Sequence, residues 1–485
     1  MREKEIDNKL NGLDEFIMET IKDWKIPGLA IGVVKEDEVI YSKGFGMRDP
    51  EKDLEVNAET LFLTASNTKA FTSMSIGILV DEGKLEWDKP IKHYIPTFKL
   101  FDPYATEHLT LRDILCHRSG LPNHDWSMDD KNLTRKDRVE LLQYLEPNMD
   151  IRAKHQYNNI MFMLAGYVVE CVTGEIWEKF VQERILDPLE MTSTNFSRYK
   201  SMKTDNFAEH YHEVNGEIKK FTWENNGDPD SFSPRGPAGS INSNIIDLAK
   251  WLKLHLNKGV YNGKRIISEE SLKQMHLPQI VDFWDIRDKE CSDGSCGMGW
   301  FIWYYRGNKI VEHGGFFGTR ILLLPNERIG IIYLPTLSSL AQDSIPNTII
   351  DRLLGYEATP WNERKKALFA EEKEKAKLEA EKVKAQFPRK EGTKPSHELK
   401  NYVGVYNHPA YLKLNIGLED EKLVISHWGE NFTLSHYHYD TFEVLDPSGE
   451  LIFRLTFHTD AKGIINSITS PFEPTIKDIE FLRIT

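Results

Sequence analysis

Between residues 5 and 24 apolar side chains recur at helical spacing, which predicts a helix ending at the Pro27-Gly28 turn. Two short strands follow in LAIGVVK and VIYSKGFG. The middle of the chain keeps the helical period in LTASNTKAFTSMSIGILV, in TLRDILCHRSGLP and in the long NIMFMLAGYVVECVTGEIWEKFVQERIL. Strands return in MGWFIWYY, TRILLLP and IGIIYLP, before a last helix near 342–354. Strands at both ends of a helical middle predict one antiparallel sheet with helices on both sides and an inserted helical region, an α/β (α+β) fold class.

Residues 361–387 change character. The stretch WNERKKALFAEEKEKAKLEAEKVKAQF has no glycine or proline and a narrow apolar stripe, so it predicts a helix stopped by Pro388. The segment FPRKEGTKPS then reads as a linker. Beyond it the period becomes two, in KLVISHW, NFTLSHYHYDTF, LIFRLTFHT and IEFLRI, which predicts a small all-β domain of about eight strands, most simply a barrel. Three segments result: a main domain over 1–360, a charged helix and linker over 361–395, and the β domain over 396–485.

Charge narrows the partners. The 61 basic and 75 acidic side chains leave a formal charge of −14, which repels nucleic acid and anionic membranes. No apolar run approaches the roughly 20 residues that span a bilayer, and MREKEIDNKLNGLDEF lacks the basic start and apolar centre of a signal peptide. A cytoplasmic protein is expected, or a secreted one if a leader has been removed. Four cysteines are too few for a disulfide framework. Cys116 and Cys171 sit in apolar patterns and read as small core residues, while Cys291 and Cys296 lie close enough in sequence to form a small disulfide on oxidation. His210 with His212, and His436 with His438, alternate as strand neighbours, but neither pair comes with a recognisable third ligand, so no metal and no cofactor is expected.

Ser66 and Lys69 stand three apart at the start of a predicted helix, a spacing that brings a hydroxyl and an amine onto one face. A lysine activates a serine only if burial lowers its pKa, and the apolar run from Phe71 to Val80 would carry Lys69 into such a place. Ser197 and Lys200 repeat the spacing in a segment that reads as loop. A serine–lysine hydrolase also needs a proton shuttle, oxyanion donors and an edge that holds substrate. Tyr157, followed by Asn159, could pass protons near Lys69 while the asparagine bonds a substrate amide. His313-Gly314-Gly315 precedes an apolar strand, where glycines let a substrate approach the sheet edge. A core tyrosine and a hairpin turn fit the same residues equally well.

The order and spacing of these motifs resemble the serine β-lactamase-like superfamily of penicillin-recognising enzymes, especially class C β-lactamases and the related esterases and peptidases. The resemblance covers roughly residues 10–355 and extends to IPGLAIGVV, LVDEGKLEWDKPIKHYIP, GPAGSINSNIIDLAKWL and MGWFIW. The C-terminal domain is similar to the lipocalin-like barrel of some members. The resemblance implies Ser66 as acylated nucleophile, Lys69 as its activating partner, Tyr157 as proton shuttle and Asn159 as amide ligand. It implies the backbone N–H groups of Ser66 and Phe316 as oxyanion hole, with His313, Gly314 and Gly315 as substrate-binding edge.

One departure bears on substrate. Members that act on penicillins carry Lys-Thr-Gly or Lys-Ser-Gly where this chain has His313-Gly314-Gly315, and an unperturbed histidine is mostly neutral at pH 7. Losing that charge weakens a site for a carboxylate. The expected function is therefore hydrolysis of an ester, amide or peptide bond in a small-molecule substrate, as by an esterase or a D-aminopeptidase. A β-lactamase or DD-carboxypeptidase, or a non-catalytic binding or assembly protein on the same fold, is the alternative. A homo-oligomer formed through the barrel is a further expectation.

Overall fold

The computed structural model describes residues 8–128, 130, 132–214, 216–221, 233–281, 288–386, 388–427, 430–445 and 451–484. They pack as two compact units interleaved in sequence. One takes the described residues up to Ile95 together with Thr110–Arg118 and Met161–Glu374; the other takes Pro96–Leu109, Ser119–Ile160 and the described residues from Lys375 on. The boundaries expected at 360 and 395 divide the sequence end to end, whereas the packing interleaves it.

The first unit is built on a nine-stranded antiparallel sheet. Its strands are β1 (Gly28–Lys35), β2 (Glu38–Asp49), β3 (Leu54–Glu55), β4 (Ile280–Val281), β5 (Cys291–Cys296), β6 (Phe301–Tyr305), β7 (Asn308–Gly314), β8 (Arg320–Leu324) and β9 (Ile329–Pro335), in the spatial order β4-β5-β6-β7-β8-β9-β1-β2-β3. The three adjacent inner strands β8, β9 and β1 read RILLL, IGIIYLP and GLAIGVVK and are buried almost throughout. Such unbroken apolar runs suit strands covered on both faces.

The six longest helices among the described residues are α1 (Leu13–Asp23), α2 (Thr68–Asp81), α3 (Asn159–Thr173), α4 (Ile245–Leu256), α5 (Ala341–Leu354) and α6 (Trp361–Gln386). On one face of the sheet Leu13, Ile17 and Ile21 of α1 join Ile345 and Ile349 of α5 and Trp361 of α6 in a core with Leu29, Ile31 and Ile331. Glycine admits α4. A Cβ on Gly32 would lie 2.4 Å from Ile245, and one on Gly330 would lie 2.8 Å from Leu252. α2 is buried from Thr68 to Leu79, with Phe71 stacked on Trp251 of α4 at 3.8 Å. Among the described residues no single helix is long and apolar enough to cross a membrane.

Several local expectations change. TLRDIL makes a helix of only five residues, Leu111–Leu115. The long helical pattern after residue 159 breaks at Gly174, which has φ 76°. Cys171 is exposed rather than core, while Cys116 is buried. Cys291 and Cys296 open and close β5, opposite Tyr305 and Phe301 of β6. That places them roughly 13 Å apart along the sheet, beyond the reach of a disulfide.

In the second unit, eight strands run from Gly404–His408 to Ile479–Arg483 and close as an antiparallel barrel, the first pairing with the last through Tyr406 and Arg483. Tyr402, Phe442 and Phe457 pack edge to face inside its core, with ring centroids 5.0 to 5.6 Å apart. Residues 119–160 pack on this barrel. Trp126 stacks on Phe472, His124 Nδ1 lies 2.7 Å from the Tyr411 hydroxyl, and the Met128 amide donates to Ala410 O.

Candidate active site

The chain enters α2 through a strained corner. Ala65 has φ 47°, a left-handed conformation that costs a non-glycine residue about 1–2 kcal/mol. A single 3₁₀ turn, Ala65–Asn67, then leads into the helix. Buried hydrogen bonds hold the corner. Thr64 donates its amide and its hydroxyl to Ile241 O at 3.0 and 2.7 Å. Asn67 Nδ2 donates to Thr64 O at 2.8 Å and to Thr319 Oγ1 at 3.0 Å, and Thr68 Oγ1 donates to Ala65 O at 2.7 Å.

The outcome is a half-buried Ser66 above a fully buried Lys69. Lys69 Nζ stands 3.1 Å from Ser66 Oγ and donates to Ala238 O at 2.8 Å. The ring of Phe162 lies 5.5 Å from it. Helical spacing predicted this meeting, and the apolar surroundings of α2 supply the burial that the chemistry requires. Ser197, the other serine with a lysine three residues on, instead caps a five-residue helix, Arg198–Met202.

The end of β7 comes against the same corner. A Cβ on Gly315 would fall 2.4 Å from Thr64 O and 3.2 Å from Ala65 Cβ, so only glycine lets the β7–β8 turn approach so closely. The turn is closed by Gly315 N donating to Thr319 O and Gly318 N donating to Gly315 O.

His313 departs from the ordinary histidine assumed from the sequence. Its imidazole is 2% exposed and its Nδ1 lies 2.7 Å from Gly314 O. Burial, and after it the nearby Lys69 charge, lowers its pKa to about 3. The side chain is therefore neutral at any physiological pH.

Tyr157 and Asn159 belong to the second unit. Tyr157 is half-buried in the loop before α3, and Asn159 opens that helix. Asn159 Nδ2 donates to Asp125 Oδ1 at 3.2 Å, and Asn158 Nδ2 donates to Pro122 O at 2.6 Å. Among the described residues no group of three or more histidine, cysteine or acidic side chains is arranged to hold a metal ion.

Sequence reasoning missed the residues that build the corner: Thr64, Asn67, Thr319, and the carbonyls of Pro237 and Ala238. One signal was present. Thr64, Thr68 and Thr72 recur every fourth residue in an apolar stretch, and all three are fully buried; Thr72 Oγ1 donates to Pro237 O at 2.7 Å. Buried hydroxyls at a helical repeat need acceptors, and GPAGSIN supplies them.

Comparison with known proteins shows what the chain is similar to. The Beta-lactamase family profile matches residues 13–355, and a domain of unknown function, DUF3471, matches residues 388–483. An unguisins hydrolase, ungD', of Aspergillus campestris is 27% identical over 427 residues, spanning 84% of this chain and 78% of its own. Protein flp of Staphylococcus aureus is 27% identical over 336 residues, spanning 67% of this chain and 63% of its own. Among solved structures, an octameric penicillin-binding protein homologue from Pyrococcus abyssi superposes with TM-score 0.63 at 23% identity, covering 97% of this chain and 99% of that one. EstCE1, a hydrolase with promiscuous acyltransferase activity, superposes with TM-score 0.60 at 17% identity, covering 72% of this chain and 99% of its own.

Proposed function

This chain belongs to the β-lactamase family of serine hydrolases, and from that premise we propose that it hydrolyses uncharged esters or amides through an acyl-enzyme on Ser66. The observation that carries the reading is the buried Lys69 amine 3.1 Å from the Ser66 hydroxyl. Lys69, in its neutral amine form, accepts the Ser66 proton as Oγ bonds to the substrate carbonyl carbon. The Ser66 and Phe316 amides hold the oxyanion. As the bond to the leaving group breaks, the proton passes to that group through Tyr157. Water then attacks the Ser66 ester, giving up a proton by the reverse route, and the acid leaves with Ser66 restored.

Asn159 bonds the substrate amide where there is one. The edge offered by β7 is its backbone at Gly314 and Gly315, because the His313 imidazole is closed off and neutral. The His313 ring offers a substrate carboxylate no positive charge, which favours neutral esters and amides, including D-aminoacyl amides, over penicillins.

The test is a panel of p-nitrophenyl esters, D- and L-aminoacyl anilides and a chromogenic cephalosporin, run on the wild type and on Ser66→Ala. Turnover of esters or anilides that disappears in Ser66→Ala is expected. A cephalosporin kcat/KM above that of every ester and anilide would overturn the substrate preference.

A further inference from the structure

A cavity of about 630 Å³ opens in the first unit beside Phe316, the residue whose amide is assigned to the oxyanion. Trp24, Phe221, Phe316, Phe317, Leu337 and Phe369 make its walls apolar and largely aromatic. The Phe316 ring is 74% exposed, whereas Phe317 next to it is buried against His210 at 4.2 Å. The turn thus anchors one ring and presents the other to the cavity.

The far wall is α6, which lies beyond the residues that the family profile matches. Its first half is firmly fixed. Trp24 Nε1 donates to Asn362 Oδ1 at 2.8 Å, and Asn362 Nδ2 donates to Asp23 at 2.8 Å. Lys365, nearly buried, pairs with Asp288 and Asp343 at 2.7 and 3.0 Å. Phe369, two turns into the helix, meets Trp24 edge to face at 5.4 Å.

Of the three lysines at the rim, two face carboxylates and the third, Lys25, donates to Gly216 O at 3.4 Å. Lys366 pairs with Asp23 at 2.9 Å and Lys373 lies 3.6 Å from Glu213. The walls themselves are apolar, so desolvating an ionic group against them would be costly. The cavity volume exceeds what a single small side chain fills and falls within the usual range for small-molecule sites.

We propose that this cavity is the acyl-group subsite and selects a bulky, uncharged, apolar acyl chain, with α6 setting its width. The inference rests on the Ser66 acyl-enzyme. The acyl side is favoured because the acyl carbonyl stays at the Phe316 amide through both half-reactions, while the leaving group departs after the first.

The experiment compares kcat/KM for p-nitrophenyl acetate, hexanoate and phenylacetate, then repeats the comparison with a constant acetyl group on alcohols of increasing size. The wild type is expected to favour the bulky acyl esters over acetate by about tenfold or more. Phe369→Asp should bring that ratio to within about twofold, and Phe369→Leu should restore most of it. The same ratio in Phe369→Asp as in the wild type, with an unchanged circular dichroism spectrum, overturns the subsite. So does a size preference that follows the alcohol instead of the acyl chain. Turnover surviving in Ser66→Ala would remove the underlying reading, whereas Ser66-dependent turnover with a ratio blind to Phe369 removes the subsite alone.

Discussion

The corner that carries Ser66 and the loop that carries Tyr157 are held in different ways. Around Ser66 the supports are short, buried and mostly backbone: threonine hydroxyls and an asparagine amide bonded to carbonyls from Ile241, Ala65 and Thr64. In the segment leading to Tyr157 they are aromatic contacts and a few polar links to the barrel, through Trp126 on Phe472, His124 on Tyr411 and the His124 amide on Glu473. The nucleophile sits in a unit organised by the sheet, and the assigned shuttle sits in a unit organised by the barrel. Substitutions in each core should therefore fail in different ways.

The largest effect is expected at the first core. Ser66→Ala should lower kcat/KM by about 10⁴-fold or more, with loss of labelling by a fluorophosphonate probe confirmed by peptide mass. Labelling elsewhere with activity intact would dissolve the comparison. Next comes Tyr157→Phe, which keeps the ring and removes the proton carrier, at about 10²- to 10³-fold in kcat. A change within threefold would mean that the second unit contributes no proton transfer.

Acid should strike the first unit harder. The buried imidazoles of His210, His276 and His313 all titrate near 3, each lowered mainly by burial. In the barrel unit His408 falls only to about 4, again by burial. Unfolded, these groups protonate near 6.5, so between about 6.5 and 3 the unfolded chain binds more protons than the folded one. Their contribution is complete above pH 6.5 and is lost as pH falls, at up to about 1.4 kcal/mol per pH unit for each fully buried group. Urea midpoints measured at pH 7 and pH 4.5 should show the loss, and replacing His210 by Gln should flatten the slope.

The smallest effect separates the two cores most finely. Asp125→Ala removes the acceptor of Asn159 and should raise KM for amide substrates a few-fold while leaving that for simple esters nearly fixed. Equal changes for both substrate types would show that Asp125 acts on the loop as a whole.

Much of this arrangement was legible in the residues. The change to a period of two marked the barrel, and the glycine-free run at 361–387 gave α6, found at Trp361–Gln386. Ser66 and Lys69 were legible because three-residue spacing on a helix is a local rule. That residues 119–160 pack on the barrel was not legible, because periodicity says that a segment is amphipathic but not which distant surface it covers. Asn67 was missed for a similar reason: Thr319, one of its partners, lies 252 residues away. That His313 is neutral at pH 7 was legible, but how far its pKa falls was not, because burial is a property of the assembled sheet.

Ala65 makes the corner an energy store that can be emptied by one atom group. Glycine adopts φ 47° freely, so Ala65→Gly would remove about 1 kcal/mol of conformational penalty and return part of it through a more disordered unfolded chain. The variant should melt no earlier than the wild type, yet it would let Ser66 sample orientations that alanine forbids. Thermostability and turnover would then move in opposite directions, and a chain selected only for heat resistance would be expected to discard the alanine first.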